Sequence, residues 1–324
     1  MSRHFALLAA LACATSPLQA QEKSLPQRIA DLIVQLNGGI HTGFRFMHAK
    51  GLVVTGTFTP APGARSISTA AHFANPVPVT VRFSDGAGIP TISDADPRAA
   101  PRGIAIRFTL PGGAFTDIVS ISHNGFIVGT GEDFLAFLTA VAGTKPESPH
   151  PNPVEQFLGS HPRALKFVKD LQPLPASWAT QAYFGNNAFL FVDSAGVKRA
   201  GRYQILPAAG IATLGPRAAA KAGSEYLFDD LKRRLARGPV RFRLVAQMAG
   251  PGDPTSDGSI VWPADRKVVE LGSLTLTTVA PNNEELQRTL TYNPIFLTSG
   301  IELSDDPLVP LRSAVYALSV AHRR

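Results

Sequence analysis

Cysteine is almost missing from this chain: one, Cys13, among 324 residues, beside only two tryptophans and three methionines. A single thiol forms no intramolecular disulfide, and its position matters more than its count. Cys13 lies in an apolar run, Phe5–Ala14, that follows Arg3 and His4 and precedes the small residue Ala20 before Gln21-Glu22. That order predicts a secretory signal peptide over residues 1–20. Leu11-Ala12-Cys13 also reads as a weak lipoprotein box. Cleavage after Ala20 would leave a mature chain without cysteine, excluding disulfides and thiolate chemistry, and export without disulfides fits a bacterial periplasm. The run is far too short to span a bilayer, so no stable membrane span is expected. Basic residues outnumber acidic ones, 31 to 24, for a formal charge of +7. They are scattered rather than gathered on one element with aromatics between them, which argues against a nucleic-acid partner. The densest group, Lys232-Arg233-Arg234, falls in the amphipathic stretch Tyr226–Arg237 and reads as a solvated helix face. Hydrophobic content of 44% with a mean hydropathy of +0.07 is that of an ordinary globular protein. The length suffices for one large core or two modest ones.

Periodicity supplies the elements. Ile29, Leu32, Ile33 and Leu36 recur at helical spacing through Leu25–Leu36, and Gly38-Gly39 stops that helix. From Gly51 the pattern becomes strand-like over Leu52–Phe58, Val77–Phe83 and Gly103–Leu110, with Gly, Pro and Asp turns between. Asp133–Val141 and Leu158–Leu171 read as helices around a Pro-rich connection, Lys145–Pro153. A second set of strands follows at Ala188–Asp193, Lys198–Leu206, Val240–Met248 and Leu271–Val279. The region Ala218–Arg237 reads as helical, and a last helix runs from about Pro307. Many strands with Gly and Pro turns and few helices predict an α+β fold, one antiparallel barrel decorated with helices.

Two small constellations carry chemistry. Arg312 and Tyr316 stand four apart in the last helix, on one face, so the guanidinium can reach the phenol oxygen. A permanent cation beside a phenol favours its anion, a hard ligand suited to ferric iron. Near the other end, His48 has a potential orienting partner in Ser84, at the end of a strand, whose hydroxyl could fix the imidazole tautomer. Asn124, after the strand-like residues 117–121, is the third candidate on that side. The bland readings are a satisfied core histidine and a surface helix contact.

The ordered set of motifs resembles the catalase-related peroxidases, short secreted members of the haem-catalase superfamily. Arg45-x-x-His48-Ala49-Lys50-Gly51 is similar to the family's distal-histidine segment, and Val81-Arg82-Phe83-Ser84 to the strand behind it. Asp96-Pro97-Arg98, Pro101-Arg102-Gly103 and residues 117–124 follow in the family's order. Tyr183-x-Gly185, Val261-Trp262-Pro263 and Gly272-x-Leu274-x-Leu276 resemble barrel and wrapping segments. Asn293-Pro294, Gly300-Ile301-Glu302 and Arg312-x-x-x-Tyr316 complete the proximal side.

The resemblance implies a catalase-like haem-binding domain over residues 21–324, minimal in form and without the family's C-terminal domain. It implies His48 as distal acid–base, Asn124 as its peroxide-positioning partner and Ser84 as the group orienting His48. Tyr316 becomes the iron ligand, backed by Arg312. Arg45, Arg82 and Arg323 fall where the family binds haem propionates, and Phe137 near its distal aromatic. His123 has no family counterpart and reads as structural. The expected cofactor is haem b with Fe(III), and the expected partners are peroxide and a small organic reductant. A haem edge more open than in long catalases would favour peroxidase turnover over dismutation, in a monomer or dimer. Two other readings stay open: a non-catalytic haem-binding protein, and a catalase-fold enzyme that rearranges hydroperoxides.

Overall fold

The computed structural model describes residues 22–171 and 173–323; the signal peptide expected at residues 1–20, with Cys13, lies outside them. Four strands form a meander: β1 (Gly51–Pro60), β2 (Val77–Ser84), β3 (Gly103–Thr109) and β4 (Phe115–Ile121). Six more follow: β5 (Tyr183–Phe184), β6 (Phe189–Val192), β7 (Lys198–Pro207), β8 (Val240–Met248), β9 (Val268–Val279) and β10 (Ile301–Leu303). The pairing runs β1-β2-β3-β4-β5-β7-β8-β9 and returns to β1, closing an antiparallel barrel, while β6 and β10 extend beside β7. Closure leaves the barrel strands no open edge.

Alternation along the strands sets two faces. Val79, Val81 and Phe83 of β2 and Ile104, Ile106 and Phe108 of β3 point into the barrel core. Phe58, Trp178, Tyr183, Phe191 and Phe242 fill the same interior and are fully buried. The barrel is therefore a packed core and not a channel; each such side chain contributes on the order of 1.5–3 kcal/mol by leaving water. The intervening residues face outward: Arg82 and Ser84, Gly103 and Ala105, Val119 and Ile121. Register aligns them in rows, Arg82–Ala105–Val119 and Ser84–Gly103–Ile121.

Helices cover that outer face. α1 (Leu25–Leu36) begins at a capping box between Ser24 and Gln27, with Pro26 in its first turn. Its end at Gly38 and Gly39 uses the positive φ of 80° and 113° that glycine tolerates. It packs with α2 (Gly131–Gly143) and α8 (Leu308–Arg323) through Ile29, Ile33, Phe46, Leu135, Leu138 and Val315. None of the described helices is long and apolar enough to cross a membrane.

Local physics divides two helices that periodicity joins. Leu158–Leu171 is instead α3 (Pro153–Ser160) and α4 (Pro162–Asp170), broken at His161. That residue precedes proline and sits at φ −125°, ψ 77°, because the ring of Pro162 disfavours helical geometry before it. Ala218–Arg237 likewise resolves into α5 (Pro216–Ala219) and α6 (Tyr226–Arg237), with Gly223 between them. On α6, Lys232 and Arg233 are exposed, and Arg233 and Arg234 pair with Asp230. The solvated-face reading stands. The short helix α7 (Asn283–Thr289) and strand β10 carry too few residues for periodicity to reveal.

Candidate active site

Between the outer barrel face and α1, α2 and α8 lies a cavity whose lining includes His48, Ser84, Arg45, Arg82, Arg312, Tyr316 and Arg323. His48 reaches it from a strained backbone. Its φ of 56° is the one positive value outside glycine among the described residues. Such a conformation costs about 1–3 kcal/mol and persists only where neighbours impose it. They do: His48 N donates to the Gly86 carbonyl and Ala49 N to that of Ala87, both at 3.0 Å. Arg82 Nη2 donates to the carbonyls of His48 (2.8 Å) and Ala49 (3.1 Å).

The imidazole rests on Gly103. A methyl built there would lie 2.9 Å from His48 Nδ1 and 2.8 Å from Ser84 Oγ. Ser84 flanks the ring on one side, with Oγ 3.1 Å from Nδ1, and the β-row places Ile121 beyond Gly103 on the other. Burial, followed by the charge of Arg82, lowers the His48 pKa to about 3, against a smaller upward pull from the Asp85 main chain. The imidazole is therefore neutral near pH 7. With Nδ1 beside Ser84 Oγ, Nε2 is left to serve as a base.

A cluster of guanidinium groups forms another wall. Arg45 donates to the carbonyls of Gln287 and Leu290, at the end of α7, and Arg82 Nε donates to Gln287 Oε1 at 2.6 Å. Arg323 Nη2 donates to Thr291 Oγ1 at 2.6 Å. Burial and the repulsion of Arg82 and Arg323 hold the Arg45 pKa well below the usual arginine value, and burial lowers that of Arg82 to about 10. None of the described residues lining the cavity is acidic. Mutually repelling cations on a cavity wall whose described lining holds no carboxylate suit an anion.

On α8, Arg312 Nη2 donates to Tyr316 Oη at 3.1 Å. Its Nη1 donates to Asn187 Oδ1, and Asn187 Nδ2 donates to Asp306 Oδ2 at 2.8 Å. Asp306 also accepts the Leu308 N–H, close to the start of α8. The guanidinium is thus aimed at the phenol by a chain anchored where the helix begins. Asn187 and Asp306 are invisible to a sequence reading because nothing local links them to Arg312.

Two expected residues fall elsewhere. Asn124 is half-buried but does not line the cavity. β4 ends at Ile121, and the chain then turns, with Gly125 at φ 104°, which carries Asn124 off the sheet face. Asn186 pins that turn, accepting from Gly125 N at 2.9 Å and donating to the His123 carbonyl at 3.2 Å. Counting by twos from Asp117 brings Val119 and Ile121 to the cavity instead, since residues 117, 119 and 121 share a face. Phe137 packs on Phe157, ring centroids 5.6 Å apart, while Phe134 and Phe126 line the cavity. One helical turn separates the two α2 phenylalanines, and only the packing of α2 chooses between them. His123 packs against Phe167 with the rings tilted, centroids 4.3 Å apart, and its Nδ1 lies 2.9 Å from the Gly125 carbonyl, a structural role.

Fold and site together define an oxidoreductase of the catalase type. The Catalase family profile matches residues 42–324, and the chain belongs to that family. A catalase-related peroxidase of Mycolicibacterium paratuberculosis is 36% identical over 290 residues, covering 88% of this chain and 91% of its own. Another, of Synechococcus elongatus, is 31% identical over 293 residues, covering 88% and 85%. Solved fungal and bacterial catalases share the fold with a TM-score of 0.75 each, at 19% and 20% identity. They match 99% and 98% of this chain, which spans only 66% and 63% of their lengths.

The family generally binds haem, and the cavity fits that group chemically. Apolar walls from Ile29, Ile33, Phe126, Phe134, Leu311 and Val315 suit a macrocycle. The guanidinium cluster suits its carboxylates, and the Arg312-backed phenol suits its iron.

Proposed function

We propose that the chain is a haem-dependent peroxidase that reduces hydrogen peroxide or organic hydroperoxides with a small organic electron donor and has weaker catalase activity. The observation that carries this reading is a neutral, half-buried His48 facing the same cavity as the Arg312–Tyr316 pair. Haem, as haem b with Fe(III), would supply the redox centre that takes oxidising equivalents from peroxide and passes them to the donor. Tyr316 would ligate the iron, with Arg312 Nη2 donating to its oxygen, and Arg45, Arg82 and Arg323 would hold the propionates.

The remaining chemistry belongs to the protein. His48 Nε2 accepts a proton from the nearer peroxide oxygen and returns it to the farther one, so a neutral molecule leaves. Ser84 and Gly103 fix the ring plane for both transfers. Hydrogen peroxide offers a hydroxyl at each end and gains from a polar donor beside the base, whereas an alkyl hydroperoxide gains from an apolar surface. Ile121 supplies the second, which supports peroxidase turnover over dismutation. A haem carrier would have no use for a strained, desolvated histidine.

The test is to express the protein with haem, record its Soret band, and follow oxygen release and oxidation of a chromogenic donor at matched peroxide. Donor oxidation should dominate. Oxygen release as the main outcome would overturn the peroxidase assignment, and no Soret band would overturn the haem reading. Export to the periplasm is part of the proposal and rests on the pattern of residues 1–20; an amino terminus at Gln21 on the exported protein would support it.

A further inference from the structure

Met47 is the residue immediately before His48, and its side chain both lines the cavity and is 41% exposed. The other methionine among the described residues, Met248, is 7% exposed. The Met47 sulfur lies 3.8 Å from Asn37 Nδ2. Asn37 is itself fixed: Nδ2 donates to the Ile33 carbonyl at 2.7 Å, and Oδ1 accepts the Gly88 N–H at 2.8 Å. A thioether is a soft two-electron reductant, and this one lines the same cavity as the His48 imidazole.

We infer that Met47 is a self-oxidation site, converted to the sulfoxide by the hydroperoxide that the cavity admits. The inference rests on the proposed peroxide substrate. In the step, sulfur attacks the terminal oxygen of R–O–OH, a sulfur–oxygen bond forms and the O–O bond breaks. Sulfur is oxidised by two electrons and the peroxide is reduced by two. His48 carries the proton from the transferred oxygen to the leaving one, so the products are sulfoxide and R–OH. The new oxygen is a far stronger acceptor than sulfur, and Asn37 Nδ2 stands ready to donate to it. The mouth thereby changes from apolar to polar in proportion to past peroxide exposure, and sulfoxide reductases can reverse the change.

The experiment exposes the holoenzyme, without electron donor, to equimolar tert-butyl hydroperoxide and locates added oxygen by peptide mass spectrometry. Met47 should gain one oxygen on the order of tenfold faster than N-acetylmethionine amide in the same solution, with Met248 unchanged. In His48→Ala the rate at Met47 should fall to that of the small molecule. Equal rates for Met47 and the small molecule, or for wild type and His48→Ala, would overturn the inference. The step needs peroxide and His48 alone, so a missing Soret band faults the haem reading while the same digest still scores Met47. Met47→Gln imitates the polar state and should raise KM for tert-butyl hydroperoxide roughly threefold at unchanged kcat; an unchanged KM would sink the proposed effect on the mouth.

Discussion

Gly103→Ala should disable turnover while sparing the fold. Gly103 opens β3 between Ser84 and Ile121, and a glycine in a sheet often marks a close approach. Here the constraint is steric. The added methyl would lie 2.8 Å from Ser84 Oγ, 2.9 Å from His48 Nδ1 and 3.0 Å from His48 Cε1. Comfortable contact for such atoms begins near about 3.5 Å, so the ring must retreat by roughly half an ångström. Gly103 has no positive φ, so alanine adds no backbone strain. Overpacking should cost about 1–3 kcal/mol of stability. Displacing a positioned base by this much should lower kcat by about 10²-fold. The assay is donor oxidation under steady-state conditions, with the Soret band and thermal midpoint measured on the same sample. Full turnover by a folded, haem-loaded Gly103→Ala protein would show that His48 does not rest on Gly103 during catalysis, and the distal assignment would fail.

His48→Ala should keep the Soret band and lose at least about 10²-fold in turnover, whereas Tyr316→Phe should change the band or lose haem; swapped outcomes would exchange the two roles. Ile121→Asn places a carboxamide where Asn124 was expected, and should raise oxygen release relative to donor oxidation; an unchanged ratio would show that the residue beside His48 does not set the balance. Protonation gives a stability signature, because burial lowers the pKa of His48 and His72 from 6.5 to about 3. A depressed folded pKa means that the unfolded chain binds protons the native state refuses. The contribution is whole above pH 6.5 and erodes as pH falls towards 3, by about 1.4 kcal/mol per unit for each histidine. Urea midpoints at neutral and mildly acid pH measure the loss, and His72→Phe should lessen it. The kcat/KM profile should show no inflection near 6.5, and one assigned to His48 would contradict its burial.

Residues close in sequence declare themselves through backbone geometry. Arg312 and Tyr316 meet because four residues make about one helical turn, and the capping box and glycine stop of α1 are equally local. The barrel is legible in the alternation of Val79, Val81 and Phe83 against Pro78, Thr80 and Arg82. Those patterns, with the motifs around His48 and Ser84, were sufficient to place the chain in its family. What they could not assign was which residue after Asp117 lines the cavity. The inter-strand register and a turn at Gly125 set Ile121 in that row and carried Asn124 away. The rotation of α2 admitted Phe134 and turned Phe137 toward Phe157. Folding alone joined Arg312 to Asn187 and Asp306, residues brought together from the approach to β6 and the start of α8. Periodicity reports which side of an element is apolar; only packing decides what that side meets.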